Sequence, residues 1–201
     1  ADYMPELMSQ FDGVKYELEG AGLETQKLIK NLTVATVIAL FLIYALIAVP
    51  LHSYTQPLVI MSVIPFGLIG AIVGHLVFDK AVSMMSLFGL IALAGVVVND
   101  SLIMMDFINK ARQSGLDRFR AVIQSGTERF RAIILTSLTT AGGLLPIMLE
   151  TSTQAQFVIP MAISMSFGII FATVITLFLV PCLYLLLQDF KEWLGYGDVV
   201  H

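Results

Sequence analysis

Five stretches of this chain are each too long and too apolar to leave in water. A helix rises 1.5 Å per residue, so about 20 apolar residues cross the roughly 30 Å hydrocarbon core of a bilayer. The spans predicted on that basis cover residues 31–50, 57–78, 84–109, 132–149 and 157–187. The composition agrees, at 57% hydrophobic and 13% charged with a mean hydropathy of +0.87. Soluble domains carry about 25% charged residues. Every backbone polar group in lipid must be satisfied within its own segment, so the predicted fold is an all-α membrane protein, a five-helix transmembrane bundle. The last stretch, about 45 Å long if helical, should tilt or project beyond the bilayer at its Gln156 end.

Several function classes drop out early. A net charge of −4 supports neither nucleic-acid binding nor a polybasic membrane patch. The single cysteine, Cys182, permits no intramolecular disulfide and sits in an apolar run, where a small buried hydrophobe is expected. The sequence has no zinc spacing, phosphate loop, nucleophile elbow or other metal motif, so no cofactor, no metal site and no conventional enzyme are expected. Residues 1–30 lack the basic start and apolar core of a signal peptide. Within them, residues 12–20 alternate polar and apolar and close on Gly20, which predicts a strand. Thirty residues cannot build a core alone, so 1–30 reads as the end of a larger extracytoplasmic domain plus a helical lead-in. Residues 188–201 read as a cytoplasmic tail, whose Phe190–Leu194 stretch could rest on the inner membrane surface.

Orientation follows from the basic residues. Lys110, Arg112, Arg118, Arg120, Arg129 and Arg131 lie between the third and fourth spans, and no other connection approaches that density. This connection is expected in the cytoplasm, which places the N-terminus outside and the C-terminus inside.

Ionisable groups inside a bilayer are costly and usually have a partner or a water path. The third span carries the most conspicuous one, Asp100, about 10 Å in from the cytoplasmic end of its apolar stretch. Asn99 and Ser101 flank it and can hydrogen-bond or hold water. Desolvation favours the neutral acid and a nearby cation the anion, so a carboxylate balanced between them can load and unload a proton. The plainer reading is a carboxylate that bonds a neighbouring helix. Asp106, nearer the boundary, can reach interfacial water. On the fourth span, Arg129 and Thr136 are seven apart and share a helix face, which Thr140 and Gly143 continue. That stripe fits a proton relay reaching Asp100. The alternatives are an arginine that snorkels to headgroups and hydroxyls that back-bond to their own helix. Arg131 points the other way and is expected to snorkel. His75 is expected at the interface near the outer end of the second span.

Small residues mark packing. Gly70 and Gly74 form a GxxxG on the second span, and Ser164, Gly168, Ala172 and Thr176 recur every four residues on the last. Both patterns let helix backbones approach closely. Pro65, Pro146, Pro160 and Pro181 are expected at kinks or helix ends, and Pro146, after Gly142-Gly143, is placed to unwind its span locally.

The order of spans carries a family resemblance. So do the runs Gly95-Val96-Val97-Val98-Asn99-Asp100-Ser101, Asp106-Phe107-Ile108-Asn109, Arg129-Phe130-Arg131-Ala132-Ile133-Ile134-Leu135-Thr136-Ser137-Leu138 and Gly143-Leu144-Leu145-Pro146. Together they resemble the resistance-nodulation-division (RND) transporters, nearest to the multidrug and heavy-metal efflux pumps of Gram-negative inner membranes. The resemblance covers essentially the whole chain and implies spans eight to twelve of a twelve-span protein, half of its helix bundle. It implies a multi-pass inner-membrane protein with a periplasmic N-terminus and a cytoplasmic C-terminus. The implied partners are the first half-bundle and the periplasmic domains, two further protomers of a homotrimer, a periplasmic adaptor and an outer-membrane channel. The implied activity is proton-driven export of drugs or other xenobiotics, with protons as the coupling ion. Arg129 and Thr136 match the relay arginine and threonine of the family. Asn99 stands where the best-known drug pumps carry a relay lysine, and Asp100 where they carry an asparagine, so a relay here differs from theirs or runs through Asp100. Two other functions fit the sequence. One is a SecD/SecF-like protein-translocation subunit, against which the Arg129–Leu138 run argues. The other is a naturally short membrane scaffold or regulator without transport of its own.

Overall fold

The structure is a computed structural model that describes residues 21–195, with side chains from residue 25 onward. The strand predicted over 12–20 lies outside the described residues. Every regular element among the described residues is helical, with five helical stretches long and apolar enough to span a bilayer: Thr25–Leu51, Gln56–Val77, Met84–Gln113, Arg118–Met148 and Ile159–Trp193. The elements are α1 (Ala21–Leu51), α2 (Gln56–Met61), α3 (Ile64–Val77), α4 (Met84–Gln113), α5 (Arg118–Met148), a 3₁₀ turn (Ala155–Phe157) and α6 (Ile159–Trp193). They are an all-α membrane bundle.

The chain divides into two compact units, Ala1–Leu40 and Phe41–His201. In the first, Thr33 and Thr36 donate to the carbonyls of Ile29 and Leu32 one turn back, which keeps their hydroxyls satisfied inside an apolar helix. The second is organised around α6, which packs against α3, α4 and α5. Its centre is fully buried at Ile163, Ile169 and Val180, and Met104, Met105 and Ile108 of α4 are buried as completely. The outward faces carry exposed Leu68, Leu76, Leu135, Leu138, Val174 and Phe178, as a lipid-facing surface requires.

Small residues set how closely these helices approach. A Cβ added to Gly70 would lie 2.5 Å from Phe171 Cβ and 2.6 Å from the Phe167 carbonyl oxygen, and one on Gly74 would lie 2.7 Å from Phe167 Cβ. Gly168 of α6 faces back towards Gly67 and Leu93. Ala172 and Thr176 are fully buried along the same stripe, and Ser164 meets the ring of His75. Gly89 of α4 makes an equally close approach, with a virtual Cβ 2.5 Å from the Met161 carbonyl oxygen. It belongs to no spaced small-residue pattern, so the sequence reading did not single it out.

The prolines sort by position. Pro57, Pro65 and Pro160 occupy first-turn positions of α2, α3 and α6, where a missing N–H costs nothing. The second span breaks at Ser62–Val63 just before Pro65, dividing it into α2 and α3. Pro146 does not unwind α5, which continues through it to Met148. Cys182 is exposed on the outside of α6 rather than buried. An apolar run that faces lipid exposes its small residues as freely as its large ones.

Candidate functional site

The polar residues of α4 and α5 fall into two groups facing different ways. On α4, Asp100 and Ser101 point into the bundle and are buried, at 6% and 0% exposure, while Asn99 is exposed. Ser101 donates to the Val97 carbonyl at 2.8 Å. Among the described residues the Asp100 carboxylate has neither a hydrogen bond nor an ion pair. On α5, Ser137 is buried and shares a 2.6 Å hydrogen bond with Thr173 of α6. Thr136, Thr139 and Thr140 donate back to Ala132, Leu135 and Thr136 of their own helix. Of these three, Thr136 and Thr139 are exposed. Thr136, the expected relay hydroxyl, bonds back to its own helix, and the residue that bridges helices within this unit is its neighbour Ser137. One residue of register on a helix is about 100° of rotation, which separates the two faces.

Arg129 of α5 packs on α4. Its guanidinium carbon lies 3.4 Å from the centroid of the Phe107 ring on α4, and its buried Nε has no hydrogen-bond partner among the described residues. Phe107 and Asp100 are seven apart and share a helix face, so the guanidinium stands about 10 Å along α4 from the carboxylate. The two do not touch. Asp106 is half-exposed and pairs with Lys110 at 2.6 Å on its own helix. Arg131 is exposed.

The basic connection is shorter than the apolar pattern suggested. The fourth span, predicted from Ala132, begins at Arg118, where the Asp117 side chain caps the helix by accepting from the Phe119 N–H. Hydropathy registers only the apolar part of a helix and misses the turns projecting into water. Arg118 of α5 reaches Asp189 and Glu192 of α6, at 3.0 and 2.9 Å, tying the start of one span to the end of another.

Two further polar links were not legible in the sequence. Gln56 of α2 and Asn109 of α4 exchange amide hydrogen bonds of 3.1 and 2.9 Å, and Gln56 is 2% exposed. Truncating Gln56→Leu leaves an Asn109 amide unpaired and should destabilise by about 1–3 kcal/mol, while adding Asn109→Leu should recover most of the loss. Thermal unfolding of the purified protein in detergent would show it, and a double variant worse than the single would refute it. His75, in the last turn of α3, is buried within the protein. Its Nδ1 donates to the Lys80 carbonyl at 3.1 Å and its Nε2 lies 3.0 Å from Ser164 Oγ, so it fastens the end of α3 to α6. Among the described residues no group of three or more His, Cys, Asp or Glu could hold a metal ion.

Residues 2–188 match the AcrB/AcrD/AcrF family. The chain belongs to that family. That family is one of RND efflux transporters, and the five apolar helices of this chain correspond to its membrane portion. A curated relative, the multidrug resistance protein MdtC of Proteus mirabilis, is 32% identical over 168 residues, covering 83% of this chain and 16% of that protein. Two crystal forms of a heavy metal efflux pump superpose with TM-scores of 0.77 and 0.75 at 27% and 28% identity. They cover 94% and 92% of this chain and 20% and 19% of those chains. The chain therefore spans a fifth or less of the length of these relatives.

Proposed function

We propose that this chain is the C-terminal transmembrane part of a proton-driven exporter of drugs or other xenobiotics, and that it supplies half of the helix bundle and part of the proton path. The observation that carries the reading is Asp100, a buried carboxylate without a protein partner in mid-span, in a chain of the RND family. Asn99 and Thr136 are exposed in this chain, and in this reading the remaining helices of the larger transporter cover them. In this reading Asp100 carries the proton, Arg129 sets the local field, and Asp106 with Lys110 forms the cytoplasmic mouth. The protein resides in the inner membrane with its N-terminus periplasmic and its C-terminus cytoplasmic, as the basic residues in the last turns of α4 and the first turns of α5 favour. The intact protein works as a homotrimer with a periplasmic adaptor and an outer-membrane channel. Substrate selection lies outside this chain. A heavy-metal substrate is the second reading, favoured by the likeness to the heavy metal efflux pump.

The test is ethidium extrusion by the intact transporter in bacteria lacking their own exporters. Extrusion should stop when a protonophore collapses the gradient, and protonophore-insensitive extrusion would remove the proton from the scheme. Arg129→Ala should slow extrusion by about tenfold or more, because a charge-field contribution of about 1.4 kcal/mol is a factor of ten. Arg131→Ala, on the exposed side, should leave the rate within about twofold. Equal defects in the two variants would count against a role for Arg129 in the path.

A further inference from the structure

We infer that Phe107 is a positioning residue whose ring face holds the Arg129 guanidinium in place beside the Asp100 face of α4. The inference rests on the reading of Arg129 as part of the proton path. Arginine chains are long and flexible, and in proteins they are usually fixed by a bidentate carboxylate. Arg129 has none. The nearest acid in sequence to its aromatic partner, Asp106, is held by Lys110, and Asp189 and Glu192 are held by Arg118. With the Nε buried and unpaired, what locates the guanidinium is the Phe107 ring, 3.4 Å from the guanidinium carbon. A desolvated cation over an aromatic face is attracted by the negative charge of the π face.

The backbone that carries the ring is anchored on both sides of α4. Ile108, the next residue, is completely buried, and Asn109 is tied to Gln56 of α2. One turn of α4 thus fixes α2 on one side and the α5 arginine on the other. The choice of partner matters for the chemistry. An ion pair between Arg129 and Asp100 would leave neither free to respond to a passing proton. A neutral ring keeps the positive charge near the path, about two helical turns from the carboxylate, without neutralising it. Lys110 Nζ, 5.9 Å from the same ring, is more distant and already paired with Asp106, so it competes weakly.

The experiment uses the intact transporter and ethidium extrusion, at matched membrane levels. Replacing Phe107 with phenylalanines bearing one, two and three ring fluorines keeps the shape of the side chain while draining negative charge from its face. Extrusion should fall stepwise along that series. Phe107→Leu should slow it about tenfold, while Phe107→Trp should retain it within about twofold. A flat fluorination series, or Phe107→Trp falling below Phe107→Leu, would show that the ring only fills space and would overturn the inference. Arg129→Ala separates the two levels. If that variant is impaired and the fluorine series is flat, only the positioning role fails. If it extrudes like the wild type, the role of Arg129 in the path fails, and the inference goes with it.

Discussion

Asp100→Asn in the intact transporter should lower protonophore-sensitive ethidium extrusion by about 100-fold or more, the scale of a lost proton-transfer group. The substitution keeps the size of the side chain and most of its hydrogen-bonding ability, and removes only the capacity to exchange a proton. Asp100 is 6% exposed and has no hydrogen-bond or ion-pair partner among the described residues, so no structural link depends on its charge. The bundle should therefore assemble normally, and the variant should reach the membrane in wild-type amount. Wild-type extrusion by Asp100→Asn would reduce the residue to a structural role and move the proton path elsewhere. A variant that fails to accumulate would mean that the carboxylate holds helices together after all.

Gly70→Val should be the most damaging single change to the bundle. The first added carbon alone would come within 2.6 Å of the Phe167 carbonyl oxygen and 2.5 Å of Phe171 Cβ. Both lie on or next to the α6 backbone, so relief requires moving a helix rather than a rotamer. Overpacking of this kind typically costs about 1–3 kcal/mol, and the upper end is expected where the obstacle is backbone. Gly95→Ala is the control, because nothing within this unit lies within 4 Å of a Cβ there. Its thermal midpoint in detergent should match the wild type or exceed it slightly, since alanine favours a helix over glycine by about 1 kcal/mol. A Gly70→Val protein as stable as Gly95→Ala would show that α3 and α6 do not pack as closely as described.

The site shows where sequence reasoning stops. Asp100 stood out because a lone carboxylate in an apolar run is expensive wherever it points. Arg129 stood out by its position at a span boundary. Their relation was not legible, since a shared helix face says which residues align and not which neighbour they meet. The aromatic partner of Arg129 lies 22 residues earlier on another helix, and Phe107 is one of 13 phenylalanines with nothing local to distinguish it. The Gln56–Asn109 and His75–Ser164 links are equally non-local, joining residues 53 and 89 apart.

By itself the sequence determined the solvent, the helical fold and the number of membrane spans, because each follows from a local requirement. An apolar stretch of about 20 residues must satisfy its backbone within one segment, and only a helix does so without a partner. It also marked Gly70, Gly74 and the Ser164–Thr176 stripe as places where helices approach closely, but not Gly89, because a missing side chain permits a contact without saying which helix comes near. The tertiary structure decided which faces meet. It turned Asp100 inward and Asn99 outward, gave the interhelical bond to Ser137 rather than Thr136, and set Arg129 on a phenylalanine instead of a carboxylate. Each outcome depends on the rotation of one helix against another. About 100° per residue separates neighbouring positions, and packing along the whole interface sets that angle.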